Sequence, residues 1–329
     1  MPTKRALLTA EAVNGLWPIL VTTAKEGADD WRMEDTLDLD ETSRVVDALI
    51  RAGCDGILSM GTYGECATLT WDEKKRLMAT LVESARGRVP VFVGTTTLNT
   101  RDTIAQTRYA ADLGADGTML GVPMWCAPSV ATAVRFYKDV AEACPDMAIF
   151  IYANPEAFKF EFPHPFWAGV AEISQVIATK YIGIVGLLQN IALTKGRIRF
   201  LPLETDYYAG ARLDPENCTA FWSSGALCGP RVSIALRDLV RKAKETGDWS
   251  AAKRLSEEIG KAGQTLFPHG SFHEFSMYNV GIVKERVDAA GWMKAGPNRP
   301  PYHVVPDDIR ENARIAGKRW VELEKRLPL

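Results

Sequence analysis

The chain has 329 residues, of which 47% are hydrophobic and 24% charged, and its net charge is −2. These values are typical of a soluble globular protein with a sizeable core, and they give no support for nucleic acid or an anionic membrane as a partner. No apolar stretch is long enough to span a bilayer, and the N-terminus, Met-Pro-Thr-Lys-Arg, shows no signal peptide. The six cysteines include no CxxC pair. That spacing favours free thiols in a reducing cytoplasm over zinc or disulfides.

Short apolar runs alternate with amphipathic stretches along most of the chain. The predicted strands are 15–23, 56–61, 89–95, 117–122, 148–154, 176–183, 198–204 and 218–225. The helices predicted to follow strands are 71–85, 101–113, 129–143 and 231–246. Eight such units in about 250 residues predict a closed (β/α)8 TIM barrel. An open doubly wound sheet is the alternative, but no GxGxxG follows the first strand, so a dinucleotide site has no support.

Glycines mark the ends of two helices, and a change of pattern marks the end of the barrel. Gly53 and Gly114 each stand shortly before a strand, where they are predicted to cap the preceding helix. After residue 247 the strand pattern stops, and helices are predicted at 249–265, 272–290 and 306–327. We therefore expect a barrel with a short N-terminal extension over 1–247. A C-terminal helical region over 248–329 is expected to pack on it.

Lys180 lies within a short, β-branched and mostly apolar run, 176–185, which is typical of a buried strand. A lysine among apolar neighbours loses the hydration of its charged form, so its pKa falls. A neutral amine can attack a carbonyl carbon and form a Schiff base. The alternative is a structural lysine whose ammonium reaches water or pairs with a carboxylate.

The ends of other strands supply candidate partners, because barrel active sites lie at the C-terminal ends of the strands. The glycine-rich segment 61–65 can present backbone N–H groups to a carboxylate, and Thr62 and Tyr63 add hydroxyls. An ordinary glycine-rich loop is the alternative. Tyr152 precedes Lys180 by 28 residues, about one βα unit, so both side chains can point into one mouth. A phenol beside an imine-forming lysine can shuttle protons.

Two further strand ends carry polar or aromatic side chains. Asn154 follows Tyr152 by two residues, so it can share the inward face of its strand and orient a water molecule. Trp222 ends the eighth predicted strand and can line the site, although a tryptophan in such a run is more often a core residue.

The segment Gly61-Thr62-Tyr63-Gly64-Glu65, Tyr152 and Lys180 together resemble the dihydrodipicolinate synthase/N-acetylneuraminate lyase superfamily of class I pyruvate aldolases. The segment 279–284 is similar to the Asn-Pro-x-Pro-x-Lys segment of that family, with the prolines lost. The resemblance covers nearly the whole chain. It implies a barrel with a C-terminal helical region, usually a homotetramer, and pyruvate bound as an imine without a metal or organic cofactor. Asn279 is then expected to contact the second substrate.

Departures from the family pattern point to a subfamily. Met124 and Trp125 stand where dihydrodipicolinate synthases have two tyrosines, the second of which completes a proton relay across a subunit interface. No arginine follows Tyr152 to hold the second substrate's carboxylate. The pocket has thus lost a hydroxyl and a cation and gained an indole, which suits an aromatic ring. We therefore expect Trp125 to form the wall of an arene pocket.

That combination is similar to the hydratase-aldolases of polycyclic aromatic hydrocarbon breakdown. These enzymes act on trans-2'-carboxybenzalpyruvate or on trans-o-hydroxybenzylidenepyruvate. The resemblance implies that this chain hydrates such a substrate and cleaves it to an aromatic aldehyde and pyruvate. The carboxybenzalpyruvate substrate is preferred here, although no single residue identifies the ortho substituent.

Other functions remain open from the sequence. His269 and His273, beside Glu274, have the spacing of a metal-binding pair on a helix, as a metal-dependent aldolase would need. Pro268 and Gly270 nevertheless predict that a helix only begins there. A dihydrodipicolinate synthase-like or sugar-acid aldolase is another alternative. The last alternative is a non-catalytic barrel that binds pyruvate or a sugar acid.

Overall fold

The computed structural model describes residues 6–327, so the N-terminal segment used in the signal-peptide prediction lies largely outside it. Eight strands occur at the eight predicted places, each shorter than predicted. They are β1 (Gly15–Pro18), β2 (Ile57–Leu58), β3 (Val91–Gly94), β4 (Gly117–Leu120), β5 (Ala148–Tyr152), β6 (Val176–Lys180), β7 (Arg199–Leu201) and β8 (Ala220–Ser223).

The strands form a closed ring of parallel neighbours. A six-stranded ladder runs from β2 to β7, and β1 pairs separately with β8. Two parallel bridges close the ring: Ile19 pairs with Leu58, and Leu203 pairs with Trp222. Closure excludes the open doubly wound sheet and confirms the (β/α)8 barrel.

Helices follow the strands around the outside of the barrel. They are α1 (Leu39–Ala52), α2 (Trp71–Ala85), α3 (Thr100–Leu113), α4 (Val130–Ala143), α5 (Pro155–Phe158), α6 (His164–Val170), α7 (Leu187–Leu193), α8 (Glu204–Leu213) and α9 (Arg231–Thr246). The four helices predicted to follow strands are confirmed to within one residue at each end. Both predicted glycine caps are confirmed as well, because Gly53 and Gly114 end α1 and α3 in the left-handed conformation, with φ of 100° and 88°.

Aromatic side chains fill the barrel interior. Trp17, Phe92 and Phe150 pack on one another with ring centroids 5.5 to 5.8 Å apart. Gly56 makes room for this cluster, since a Cβ atom there would lie 2.4 Å from the Trp17 ring. The barrel is therefore a packed core rather than a channel, and a site can open only at its mouth.

Three C-terminal helices pack on the barrel. They are α10 (Ser250–Gly263), α11 (Phe272–Ala290) and α12 (Asp307–Lys325). Val283 and Val287 of α11 and Trp320 of α12 belong to the same hydrophobic core as the barrel residues. The Trp320 indole donates a hydrogen bond to the Gly229 carbonyl (3.0 Å). None of the helices between residues 6 and 327 combines the length and apolar character of a bilayer-spanning segment.

Candidate active site

Lys180 is the last residue of β6 and pairs in register with Tyr152, the last residue of β5. Its side chain is buried, with 3% of its surface exposed. The Nζ atom lies 3.5 Å from the centroid of the Trp222 ring and 4.8 Å from that of Tyr152. Within residues 6–327 the amine has no hydrogen bond and no carboxylate partner.

Burial lowers the pKa of Lys180 from 10.5 to about 7. The faces of two aromatic rings favour the charged amine, but loss of hydration is the larger effect. A substantial fraction of the side chain is therefore neutral at neutral pH, as attack on a carbonyl carbon requires.

Tyr152 stands beside the lysine at the centre of a small hydrogen-bonded group. Its Oη lies 2.8 Å from Oγ1 of Thr62, and Nδ2 of Asn154 donates to it at 3.1 Å. Burial raises the pKa of Tyr152, so the phenol keeps its proton. Three of the residues predicted for the site are thus brought together next to Lys180.

Asparagine side chains border the site from two directions. Oδ1 of Asn154 accepts from the Ala157 amide (3.3 Å), which caps α5 and fixes the orientation of the Asn154 amide. Asn279 reaches the site from α11, and its buried Oδ1 has no hydrogen-bond partner in the described chain. An unpartnered buried acceptor is costly, so this oxygen is suited to bind water or a substrate hydroxyl.

Two cavities open at the barrel mouth, and Tyr152, Asn154 and Asn279 line both. The first has a volume of about 150 Å³ and contains Lys180 and Trp222. The second is larger, about 690 Å³. Thr62 and Met124 line the second cavity, together with Phe158 and Val280.

The side chains of the segment 61–65 point in different directions. Thr62 bonds Tyr152, whereas the buried Oη of Tyr63 has no partner in the described chain and faces the first cavity. The Glu65 carboxylate bonds neither the Thr62 hydroxyl nor the Tyr63 hydroxyl. It accepts from Nζ of Lys284 (2.9 Å) and from the backbone N–H of Arg299 (2.8 Å), whose guanidinium also pairs with it. The segment is therefore a joint between the barrel and the C-terminal region as well as a lining of the site.

Trp125 does not stand where the sequence predicts. Its side chain is 78% exposed and lines neither cavity, whereas the neighbouring Met124 is half-buried and lines the second one. The irregular segment between β4 and α4 turns this indole outward, and Nζ of Lys159 makes a long contact with the Trp125 carbonyl (3.5 Å). The residue of this segment that lines the second cavity is therefore Met124 and not Trp125.

The histidine pair does not form a metal site. His269 lies in a 3-10 turn before α11 and bonds Glu274 (2.7 Å), whereas His273 lies on the helix and bonds Glu156 (2.9 Å). The two imidazoles therefore have separate carboxylate partners and do not share a helix face, because the helix begins at Phe272. Among residues 6–327, no group of three or more histidine, cysteine or acidic side chains is arranged to hold a metal.

Trp222, Glu204 and Arg286 also belong to the site, and the last two were not predicted. Trp222 contacts the lysine directly, and its indole donates to the Tyr181 carbonyl (2.9 Å), which fixes the ring over Nζ. Glu204 and Arg286 line the same cavity, and burial raises the pKa of Glu204. The position of Trp222 at a strand end is visible in the sequence. No sequence pattern, however, indicates that Arg286 approaches the site from α11.

A barrel whose mouth holds a buried lysine with a lowered pKa beside a tyrosine is the architecture of the lysine-dependent aldolases. Sequence comparison gives the same class, since the model of the dihydrodipicolinate synthetase family matches residues 29–316. The chain belongs to the dihydrodipicolinate synthetase family.

Individual relatives are similar over nearly their whole lengths. The chain is 60% identical to the trans-O-hydroxybenzylidenepyruvate hydratase-aldolase of Sphingobium xenophagum, over 98% of each chain. It is 58% identical to the enzyme of the same name from Pseudomonas aeruginosa, over 97% of this chain and 96% of that one. It is 35% identical to the trans-2'-carboxybenzalpyruvate hydratase-aldolase of a Nocardioides strain, over 97% and 96%.

A solved structure supports the same grouping. The structure of PhdJ bound to a substrate intermediate superposes with a TM-score of 0.95 at 43% identity, covering 98% of this chain and 100% of that one. The protein is therefore a lyase of the hydratase-aldolase class.

Proposed function

We propose that the protein adds water to trans-o-hydroxybenzylidenepyruvate and cleaves the product to an aromatic aldehyde and pyruvate, through an imine on Lys180. The observation that carries this proposal is the state of Lys180: it is buried, it has no carboxylate partner in the described chain, and its pKa is lowered to about 7. A lysine kept only for structure would be paired or would reach water.

The identities of the relatives support the hydroxy substrate. They are 60% and 58% for two hydroxybenzylidenepyruvate enzymes and 35% for the carboxybenzalpyruvate enzyme. This reverses the preference drawn from the motifs and leaves trans-2'-carboxybenzalpyruvate as the second candidate. As the family resemblance implies, we further propose that the protein acts in aromatic hydrocarbon degradation and forms a homotetramer. The proposed reaction uses neither a metal nor an organic cofactor.

Imine formation uses the first cavity. The substrate carboxylate binds at the segment 61–65, and neutral Lys180 attacks the keto carbon to give a carbinolamine. Tyr152 donates a proton to the departing hydroxyl, and water leaves. Thr62 and Asn154 hold the Tyr152 hydroxyl in place during this transfer.

Hydration and cleavage follow on the imine. The iminium withdraws electrons from the conjugated double bond, so water adds its oxygen to the benzylic carbon and the adjacent carbon gains a proton. Loss of the proton from the new hydroxyl then breaks the bond between these two carbons. The electron pair moves into the iminium and gives an enamine, and the aldehyde leaves. Protonation of the enamine and hydrolysis release pyruvate and restore the Lys180 amine.

The acceptor end is assigned to the second cavity. The unpartnered Oδ1 of Asn279 is suited to accept from the attacking water, and Asn154 lines the same cavity. Met124, Phe158 and Val280 provide apolar contacts for the ring.

Borohydride reduction in the presence of pyruvate tests the imine. Peptide mapping by mass spectrometry is expected to place a reduced pyruvate adduct on Lys180. Lys284 is an internal control, because it is equally buried but held by Glu65 and by the Pro297 carbonyl (2.8 Å). Lys180→Arg is expected to give no adduct and no measurable turnover. An adduct on Lys284 instead, or full activity in Lys180→Arg, would refute the mechanism.

The substrate is tested with a panel of benzylidenepyruvates carrying hydroxyl, carboxyl or no ortho substituent. The loss of their ultraviolet absorbance gives kcat/KM, which is expected to be highest for the hydroxyl compound. A preference for aspartate semialdehyde or a sugar aldehyde in the condensation direction would instead identify another pyruvate aldolase.

A further inference from the structure

We propose that the first cavity is a separate passage between solvent and Lys180, which carries water inward and pyruvate outward while the aromatic end of the substrate occupies the second cavity. The passage rests on the lining of the cavity. Only its use by pyruvate rests on the proposed function.

The first cavity joins a buried amine to the protein surface. Its lining includes Lys180, of which 3% is exposed. It also includes three exposed residues: Thr205 at the start of α8, Gly260 in the last turn of α10, and Gln264 directly after that helix. The cavity therefore opens to solvent where the start of α8 meets the end of α10.

The second cavity opens elsewhere. Its exposed lining includes Leu98, Met277 and Tyr302, and none of these three lines the first cavity. The two cavities meet at the tyrosine and the two asparagines that line both. Lys180 lines the first cavity alone, so a molecule can reach it through the α8–α10 opening without crossing the space assigned to the ring.

Three buried polar atoms of the first cavity have no hydrogen-bond partner in the described chain. They are Oη of Tyr63, Nε of Arg286 and Oδ1 of Asn279. Buried polar groups are almost always satisfied, and water does this where the protein supplies no partner. A volume of about 150 Å³ has room for several water molecules or for one small acid. The cavity is therefore suited to conduct water and a three-carbon molecule, but not the whole aromatic substrate.

The wall that α10 and the following turn contribute is apolar. Ile259, Leu266 and Phe267 line the cavity there. Tight sites for small polar ligands need several convergent polar groups, which such a wall does not provide. Weak contacts of this kind suit a route along which water and pyruvate move, rather than a site that retains them.

The proposed reaction needs such a route at one step. When the carbon–carbon bond has broken, the aromatic aldehyde still occupies the second cavity, and Lys180 carries an enamine. The enamine takes up a proton to give the iminium, and water then adds to the iminium carbon and releases pyruvate and the free amine. Water that arrives through the first cavity can complete these steps before the aldehyde leaves. The two products can then depart in either order.

Carbamylation of Lys180 by cyanate tests the passage without the proposed reaction, because cyanate modifies neutral amines. Two glycines allow the opening to be filled. A Cβ atom at Gly260 would meet nothing within 4 Å in the described chain, and one at Gly263 would lie 3.6 Å from Leu266. Gly260→Phe and Gly263→Phe are expected to slow labelling of Lys180 at least about tenfold, because cyanate must then wait for local opening. Peptide mass spectrometry measures the labelling rate.

Ala157→Phe is the matched control, because Ala157 lines the second cavity and not the first. It is expected to leave the labelling rate of Lys180 unchanged. An unchanged rate in both glycine variants, or an equal fall in Ala157→Phe, would overturn the passage. Gly260→Ala is too small to fill the opening and is expected to be labelled like the native chain.

Two further measurements separate restricted access from other effects. The pH midpoint of labelling is expected to stay at about 7 in the glycine variants, as in the native chain. A shift of this midpoint that accounts for the whole fall in rate would count against the passage. Circular dichroism melting shows which phenylalanine variants fold, and the comparison uses those that do.

Use of the passage by pyruvate is tested in the reaction itself. Gly260→Phe is expected to cleave one substrate molecule per site at the native rate and then to slow, which gives a burst of aldehyde while borohydride traps an adduct on Lys180. Ala157→Phe is expected to raise KM without a burst. Equal loss of the first turnover and the steady rate in Gly260→Phe would overturn the assignment to pyruvate. No turnover by the native chain would refute the proposed function and that assignment with it, whereas the cyanate result decides the passage.

Discussion

The surroundings that suit Lys180 to the proposed imine chemistry are unfavourable for folding. The unfolded chain hydrates its ammonium, whereas the folded chain holds it between two aromatic rings without a counter-ion. Each unit by which the pKa falls corresponds to about 1.4 kcal/mol of lost stability at low pH. Under the proposed function, stability is given up at Lys180 in exchange for a reactive amine.

Replacing this lysine should make the protein more stable. Between its folded pKa of about 7 and its ordinary value of 10.5, the unfolded chain binds more protons than the folded one. Stability therefore rises with pH across this window, and the destabilisation is complete below it. Lys180→Met is expected to raise the free energy of unfolding most at about pH 6 and less at about pH 9, as measured by denaturant titration. A gain that does not depend on pH would show that the amine is not the cause.

How far single residues can be predicted depends on whether their environment is local. The burial of Lys180 beside Tyr152 could be predicted because apolar neighbours and strand spacing are visible along the chain. The exposure of Trp125 could not, because it depends on how an irregular segment between β4 and α4 turns. The contact between Trp222 and Lys180 joins two strands that are not neighbours in the barrel, so their sequences alone do not reveal it.

The loop after β2 shows how an element can serve two purposes. Its glycines and hydroxyls were predicted to face a ligand, and Thr62 does reach Tyr152. Its last residue, Glu65, turns the other way and joins two cations from segments 219 and 234 residues further along the chain. This buried triad was beyond sequence analysis, because nothing in the loop itself specifies such distant partners.

Removing the carboxylate of this triad should loosen the joint. Glu65→Gln leaves Lys284 and Arg299 as two buried cations without their anion, and breaking such a buried pair typically costs about 3–5 kcal/mol. The expected result is a loss of that order in the free energy of unfolding. Glu172→Gln is the control, because its pair with Arg197 is exposed and contributes about 1 kcal/mol or less. Equal effects of the two substitutions would contradict the assigned role.

At the scale of the whole molecule, the barrel and the C-terminal helices depend on each other. Trp320 of α12 is fully buried, and it packs so closely on Gly225 that a Cβ atom there would lie 2.2 Å from the indole. Asn279 of α11 borders the cavity that contains Lys180. The boundary predicted near residue 247 therefore marks where the strand pattern of the sequence stops. Residues before and after this boundary together form the hydrophobic core and the candidate site.

Cutting the chain at that boundary should show this dependence. A fragment of residues 1–247 would expose the barrel surface that Val283, Val287 and Trp320 cover, and we expect no cooperative thermal transition from it. Co-expression with residues 248–329 is expected to restore the transition. A fragment that melts cooperatively alone would establish the barrel as an independent domain.

The two junctions that close the barrel have a consequence for its motions. Each consists of one bridged pair, fewer than at any other boundary between neighbouring strands of the described chain, so β1 and β8 form a two-stranded unit set into a six-stranded one. Local opening follows the boundaries where the fewest main-chain hydrogen bonds must break. One of these junctions includes Trp222, the ring over Lys180. Local opening of the barrel at this seam would move the Trp222 indole relative to the Lys180 amine, and would thereby couple the reactivity proposed for the lysine to a fluctuation of the backbone.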